Sequence, residues 1–148
     1  MDALELLKED HQTVKELFEE AEDAVDQKEK TKIFSEIQAE LETHAQIEET
    51  VFYPAMQKRE ELKDMVLESM EEHRQIKTLL KEIDGLKAES EKFDPTLTVL
   101  MENVKHHAEK EEEAKMFPKI RQLFSQEELE ELGQELESAK NKRELKAS

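Results

Sequence analysis

The stretch LELLKEDHQTVKELFEEAEDAV, from Leu4 to Val25, sets Leu4, Leu7, His11, Val14, Phe18, Ala21 and Val25 at alternating steps of three and four. That spacing is the apolar stripe of an amphipathic helix. A half-buried strand would instead alternate at every second residue. One position of the stripe is a histidine, and the same irregularity recurs down the chain.

Working outward, three further stripes of the same period follow. The first helix is expected from about Ala3 to Asp26. A second, from about Thr31 to Lys58, carries Phe34, Ile37, Leu41, His44, Glu48, Val51 and Ala55. A third, from about Glu61 to Ala88, carries Leu62, Val66, Ser69, His73, Ile76, Leu80 and Ile83. Asp94 and Pro95 offer an N-cap and a proline at the first helical position. A fourth helix then runs to about Phe124 with Leu97, Leu100, Val104, His107, Glu111 and Ala114 on its stripe. SQEE, Ser125 to Glu128, reads as a capping box. It opens a short fifth helix with Leu129, Leu132 and Leu136, after which NKRELKAS is expected to fray. Pro54 and Pro118 lie late in the second and fourth helices and should bend or loosen them. Short connections make neighbouring helices antiparallel. The expected fold is all-α: an up-down-up-down four-helix bundle over residues 1–124, with a C-terminal helix and tail over 125–148.

Composition agrees and excludes much else. Only two Gly and three Pro leave little material for the turns of a sheet. Charged residues make up 41%, and the formal net charge is −17. Such a surface disfavours nucleic acid and anionic membrane as partners and suits cations. No apolar run is long enough for a membrane span, and MDALELLKED has no signal-peptide pattern, so a cytoplasmic protein is expected. The absence of cysteine excludes disulfides and thiolate metal sites.

Four of the five histidines, His11, His44, His73 and His107, occupy stripe positions. Counted from the expected helix ends, each lies about twelve to fifteen residues from a turn. At about 1.5 Å per residue they fall within one helical turn of a common level. Glu48 and Glu111 each follow a histidine by four residues and so share its helix face. Imidazoles and carboxylates in an apolar layer are costly unless paired, and a metal resolves that cost. This donor set suits iron, manganese or zinc, and carboxylates bridge metal pairs in four-helix bundles. Six protein ligands for two ions leave coordination positions open for water, hydroxide or a small ligand.

Four segments, in order, resemble the hemerythrin-like, HHE cation-binding family: KEDHQTVKELF (Lys8 to Phe18), HAQIEETVFYP (His44 to Pro54), MEEHRQIKTLL (Met70 to Leu80) and HHAEKEEEAKMFPKIR (His106 to Arg121). The resemblance implies a four-helix bundle around a non-haem di-iron centre, with two ions bridged by carboxylates and by oxo, hydroxo or water. It implies binding or sensing of oxygen, nitric oxide or peroxide, or a part in iron and oxidative-stress homeostasis. Two departures stand out. Blood-type members carry a histidine pair on the third helix, whereas Ser69 and Lys77 flank His73 here. One metal then lacks a histidine, or takes water or a carboxylate such as Glu72. In addition, Glu48 precedes Pro54 by six residues, while in the fourth helix six residues before Pro118 is Glu112, not Glu111. Helical periodicity selects Glu111 and the proline count selects Glu112; a one-residue bulge accommodates either.

His106, beside His107, points about 100° away and reads as a surface histidine. Tyr53 and Phe117 read as core plugs, and the methionines as gap fillers, with Met56 or Met116 candidates to line a ligand path. Besides small-ligand binding, two functions stay open: a peroxidase-like or ferroxidase enzyme on the same site, and a zinc-held or metal-free structural bundle whose protein partner is unknown.

Overall fold

The computed structural model describes residues 1–147. Among these residues all regular structure is helical. α1 (Ala3–Asp23) runs antiparallel to α2 (Gln27–Ile47), which continues as a π-helical stretch (Glu48–Phe52) and α3 (Tyr53–Gln57). A short 3₁₀ turn (Glu60–Leu62) leads into α4 (Lys63–Asp84). α5 (Phe93–Lys105) continues as a longer π-helical stretch (His106–Met116) and α6 (Phe117–Leu123). The four rods are therefore 3–23, 27–57, 63–84 and 93–123, and α7 (Gln126–Ala147) is added outside them.

Local chemistry sets the ends. Asp2 caps α1: its carboxylate accepts from the Glu5 amide at 2.9 Å and the Glu5 carboxylate accepts from the Asp2 amide at 3.0 Å. Arg121 and Gln126 also donate to Asp2, at 3.2 and 3.1 Å. Burial pushes the Asp2 carboxyl up, but the Glu5 amide and these two donors outweigh it and hold it at about 2. α1 stops three residues earlier than periodicity suggests, because Asp26 serves as the N-cap of α2 and accepts from the Glu29 amide at 2.7 Å. Val25, read as the last stripe position, is consequently 95% exposed. The fourth rod begins at Phe93 rather than after an Asp94 cap. Pro95 falls in its first turn, where a missing N–H costs nothing.

The largest departure is α7. It is 22 residues long, not short, and runs through the segment expected to fray. The SQEE box forms as read: Glu128 N–H donates to Ser125 Oγ at 3.1 Å and Ser125 N–H to the Glu128 carboxylate at 2.9 Å. Leu129, Leu132 and Leu136 then pack into the same core as Leu4, Leu7, Phe52 and Met56. Tertiary contacts hold the rest of the helix down. Lys140 pairs with Asp10 at 2.7 Å and Arg143 donates to Thr43 Oγ1 at 3.1 Å.

Gly133 lets α7 lie against the N-terminus. A Cβ there would sit 2.5 Å from the Met1 carbonyl oxygen and 2.9 Å from the Asp2 carbonyl carbon. Gly133→Ala is expected to displace this capped backbone and cost about 1–3 kcal/mol. The gain in helix propensity, about 1 kcal/mol, recovers only part of that. Thermal denaturation should show a fall in Tm of several degrees.

Two apolar clusters fill the bundle. One gathers the N-terminus of α1, α3, α6 and α7; the other gathers Val14, Phe18, Phe34, Ile37, Leu41, Ile76, Leu80, Leu100 and Val104. Between them lies a single layer of buried polar residues: Asp10, His44, Glu48, Ser69, His73, His107 and Glu112, with His11 close behind at 9% side-chain exposure.

Candidate metal centre

The four stripe histidines do meet in this layer, and their orientation is uniform. Every Nε2 points inward and every Nδ1 is held from behind by a carboxylate. Asp10 holds His44 at 2.9 Å, Glu49 holds His73 at 2.7 Å, Glu72 holds His107 at 2.6 Å and Glu113 holds His11 at 2.7 Å. Such a partner fixes the tautomer, with the proton on Nδ1, and leaves the Nε2 lone pair free for a cation.

The pattern is symmetric between the two halves of the chain. Asp10 and Glu72 each precede one histidine in sequence and hold the histidine of the neighbouring rod. Glu49 and Glu113 each follow a buried glutamate and hold a histidine of the opposite half. Glu72, considered from the sequence as a direct ligand, stands behind His107 instead.

The inner carboxylates are Glu48 and Glu112, both fully buried. Glu48 Oε1 lies 3.2 Å from His44 Nε2 and 3.0 Å from His73 Nε2. Glu112 Oε1 lies 3.1 Å from His11 Nε2, and its Oε2 lies 3.4 Å from His107 Nε2. Each carboxylate therefore spans the two histidine pairs. Two three-residue donor sets result: His11, His44 and Glu112, and Glu48, His73 and His107.

Glu111, favoured by helical periodicity, lies outside the layer. Its carboxylate faces His106 at 3.4 Å and Lys115 at 3.3 Å. The cause is the π-helical winding of residues 106–116, where the Phe117 amide bonds the Glu112 carbonyl five residues back. In such winding, residues five apart share a face, so His107 aligns with Glu112 rather than Glu111. The second rod does the same one step later. His44 and Glu48 keep the α spacing, and then Tyr53 N–H bonds the Glu48 carbonyl. There the apolar stripe slips by one residue, burying Phe52, Tyr53 and Met56 where Val51 and Ala55 were expected.

Tyr53 is more than a core plug. Its hydroxyl donates to Glu112 Oε2 at 2.5 Å and lies 3.3 and 3.4 Å from the Nε2 atoms of His73 and His107. Burial, with Glu112 and Glu48 nearby, holds the phenol well above its usual pKa, so it stays protonated as a donor. Ser69, one turn before His73 on the third rod, is buried in the same layer. Tyr53→Phe leaves one Glu112 lone pair bare. Metal affinity is expected to fall about tenfold, within the range for loss of a supporting hydrogen bond, while saturating metal still fills both donor sets. Competition with a chelator of known affinity reads this directly. Phe117 does act as a plug, stacked near His11 at 6.2 Å.

The residues fit metal better than they fit one another. His73 and His107 aim Nε2 at Nε2 across 3.1 Å, while both Nδ1 protons are committed to carboxylates. Two lone pairs at that distance repel unless a cation lies between or a proton is shared. His44 Nε2 and Glu48 Oε2 are buried with no hydrogen-bond partner. Orphans of this kind are rare in native proteins and call for an ion or water. Burial pushes His44 down, but Glu48 and Asp10 outweigh it and hold it at about 10. Glu48, despite its burial, is held well below the carboxylate range, most strongly by His44.

The model of the Hemerythrin HHE cation binding domain matches residues 2–120. This chain belongs to the hemerythrin HHE cation-binding family. An uncharacterized hemerythrin-like protein of Schizosaccharomyces pombe is 31% identical over 106 residues, covering 70% of this chain and 52% of that protein. A protein of Nostoc described as a DNA nickase is 29% identical over 142 residues, covering 96% of this chain and 40% of that protein. The chain thus spans about half or less of the length of these curated relatives. A crystal structure of a hemerythrin HHE domain-containing protein from Mycobacterium kansasii superposes with a TM-score of 0.85 at 26% identity, covering 96% of this chain and 86% of that one. As a hemerythrin-like protein, the chain is a metal-binding helical bundle, and its histidine and glutamate clusters are the groups able to hold the cation. Among the described residues no helix is long and apolar enough to cross a membrane.

Proposed function

We propose that this hemerythrin-like protein holds two iron ions, one in each three-residue donor set, and binds a small ligand such as oxygen, nitric oxide or peroxide beside them. The observation that carries the reading is the pair of carboxylates, Glu48 and Glu112, each spanning both histidine pairs. Two ions held that way would each have two histidines and a share of both carboxylates, at most four protein donors, which would leave positions open on octahedral iron. Bound iron supplies the redox-active Lewis acid; the chain orients it and shields it.

An adjoining cavity supports the small-ligand half. It measures about 40 Å³ and is lined by all four histidines with Val14, Leu41, Ile76, Leu80 and Val104. One water needs about 10–15 Å³ by this kind of measure, so the space suits a diatomic or peroxide and excludes larger substrates. Its apolar wall limits water access and thereby tunes potential. The imidazole and carboxylate donors also accept manganese or zinc, and metal analysis of protein grown with each metal decides among them.

Protein purified from iron-supplemented cells is expected to carry about two iron ions per chain. Its ultraviolet charge-transfer band should shift with azide or nitric oxide. Iron content well below two, or a spectrum indifferent to both ligands, would overturn the proposal. A second reading, a peroxidase-like or ferroxidase enzyme, draws on the absence of a second third-rod histidine, since Ser69 and Lys77 flank His73, and on the Tyr53 hydroxyl standing among the ligands. Sustained peroxide consumption with a reductant, lost in Glu48→Ala, would establish it; a single stoichiometric reaction would dismiss it. The nickase activity named for the Nostoc protein is not carried over, because the chain spans only 40% of it and a net charge of −17 repels a phosphate backbone.

A further inference from the structure

We infer that Glu72, His106 and Glu111 form a third cation site, on the outside of the bundle and separate from the inner pair. Their donor atoms lie within 4.8 Å of one another. His106 Nε2 is 3.5 Å from Glu72 Oε2 and 3.4 Å from Glu111 Oε1. Both distances are long for hydrogen bonds, in contrast to the 2.6–2.9 Å contacts that hold the inner histidines. They match the edge of a coordination polyhedron: donors about 2.1 Å from a tetrahedral zinc ion stand about 3.4 Å apart. One imidazole and two carboxylates also make a donor set that zinc accepts.

Burial is graded from rim to recess. The His106 side chain is 58% exposed, whereas Glu72 and Glu111 are 17% and 14% exposed. The carboxylates thus lie in a shallow recess with the imidazole at its mouth, which leaves the fourth corner of a tetrahedral site to solvent. Lys115 pairs with Glu111 at 3.3 Å, but it is 61% exposed on a flexible stem and can swing away. The winding that carries Glu112 into the layer is what turns Glu111 outward beside His106, so the same π-helical stretch builds both sites.

Glu72 links them. Its Oε2 belongs to the outer set, while its Oε1 accepts the Nδ1 proton of His107 at 2.6 Å. A cation on Oε2 withdraws charge from that hydrogen bond and weakens His107 as an inner donor. The outer site is therefore negatively coupled to the inner pair, and its ion binds more weakly once the inner pair is filled.

Zinc is the probe. Metal-free full-length protein is titrated with zinc against a fluorescent chelator, and crystals soaked in zinc are measured at its absorption edge. Three ions per chain are expected, the third at least tenfold weaker, with an anomalous peak between His106 and Glu111. His106→Ala and Glu111→Gln should each bind two and lose that peak, while Lys115→Ala keeps three with the third tightened. Two ions in the unaltered protein would overturn the inference, as would three in His106→Ala, which would place the extra ion elsewhere on the acidic surface. The inner-pair reading fails separately: one ion in the unaltered protein and none in His106→Ala would retain the outer site and remove the other two.

Discussion

Glu112→Ala is expected to leave the protein with at most one tightly bound metal ion, whereas Glu111→Ala leaves the inner pair intact. Glu112 is fully buried, places one oxygen on His11 and the other on His107, and accepts the hydrogen bond of the Tyr53 hydroxyl. On the two-ion reading its removal would strip a ligand from both ions, and it leaves a cavity and a bare Tyr53 hydroxyl. Glu111 touches only His106 and Lys115 at the rim. Inner-site affinity should fall at least a hundredfold for the first variant, beyond the 10–100-fold typical for a supporting residue, and by less than threefold for the second. Metal analysis after gel filtration, with calorimetric titration of the re-added ion, distinguishes the two. Equal losses would mean that the widened winding of the fourth rod does not persist in solution.

Removing the metals should lower Tm by about 10–20 °C. A ligand present at a hundred times its Kd stabilises by about 2.7 kcal/mol, and two sites roughly double that. For a domain of this size each kcal/mol moves Tm by about 2–4 °C. The effect has a pH signature. In the metal-free protein His44 is held at about 10 and the other three inner histidines are raised as well. Their ion pairs stabilise the fold fully below about pH 6.5, and that contribution fades as pH rises through the folded values. Metal binding runs the other way, since each ligating imidazole must give up its Nε2 proton. The gap between loaded and metal-free Tm should therefore widen from pH 6 to pH 9. Differential scanning calorimetry with and without a chelator measures it, and a constant gap would contradict the histidine assignment.

Much of this was legible in the sequence because helical periodicity is a strong signal. The stripes from Leu4 to Ala21, Phe34 to Glu48, Leu62 to Ile83 and Leu97 to His107 are buried as read. Periodicity fails at a helix end, at Val25, and where winding changes, at Val51 and Ala55 in the second rod and Glu111 and Ala114 in the fourth. The distance to proline was the better guide, because Glu48 and Glu112 both stand six residues before one. Each proline stands at the second residue of the α-segment that follows the wide winding, where its missing N–H removes one α-type hydrogen bond. The outer carboxylates also left a trace, as acidic neighbours of ligands in Asp10-His11, Glu48-Glu49, Glu72-His73 and Glu112-Glu113. In a chain with 39 acidic residues such neighbours carry little information by themselves. Tyr53 had no signal beyond its place before Pro54. The reach of α7 was missed because its outer half has little apolar periodicity and is held by Lys140 and Arg143 instead.

The crossing of the two inner carboxylates has a consequence for how the chain is tied together. Glu112 comes from the second half and sits with His11 and His44 of the first; Glu48 comes from the first and sits with His73 and His107 of the second. Neither helical hairpin holds a complete donor set, and His11 and Glu112 are 101 positions apart. Closing so long a loop in the unfolded chain costs a few kcal/mol of entropy, the same quantity that makes a disulfide effective. With metal held there as proposed, a protein without cysteine would have a cross-link between its halves that a chelator opens. Either hairpin expressed alone would have two donors of one set and one of the other, and nothing to complete them.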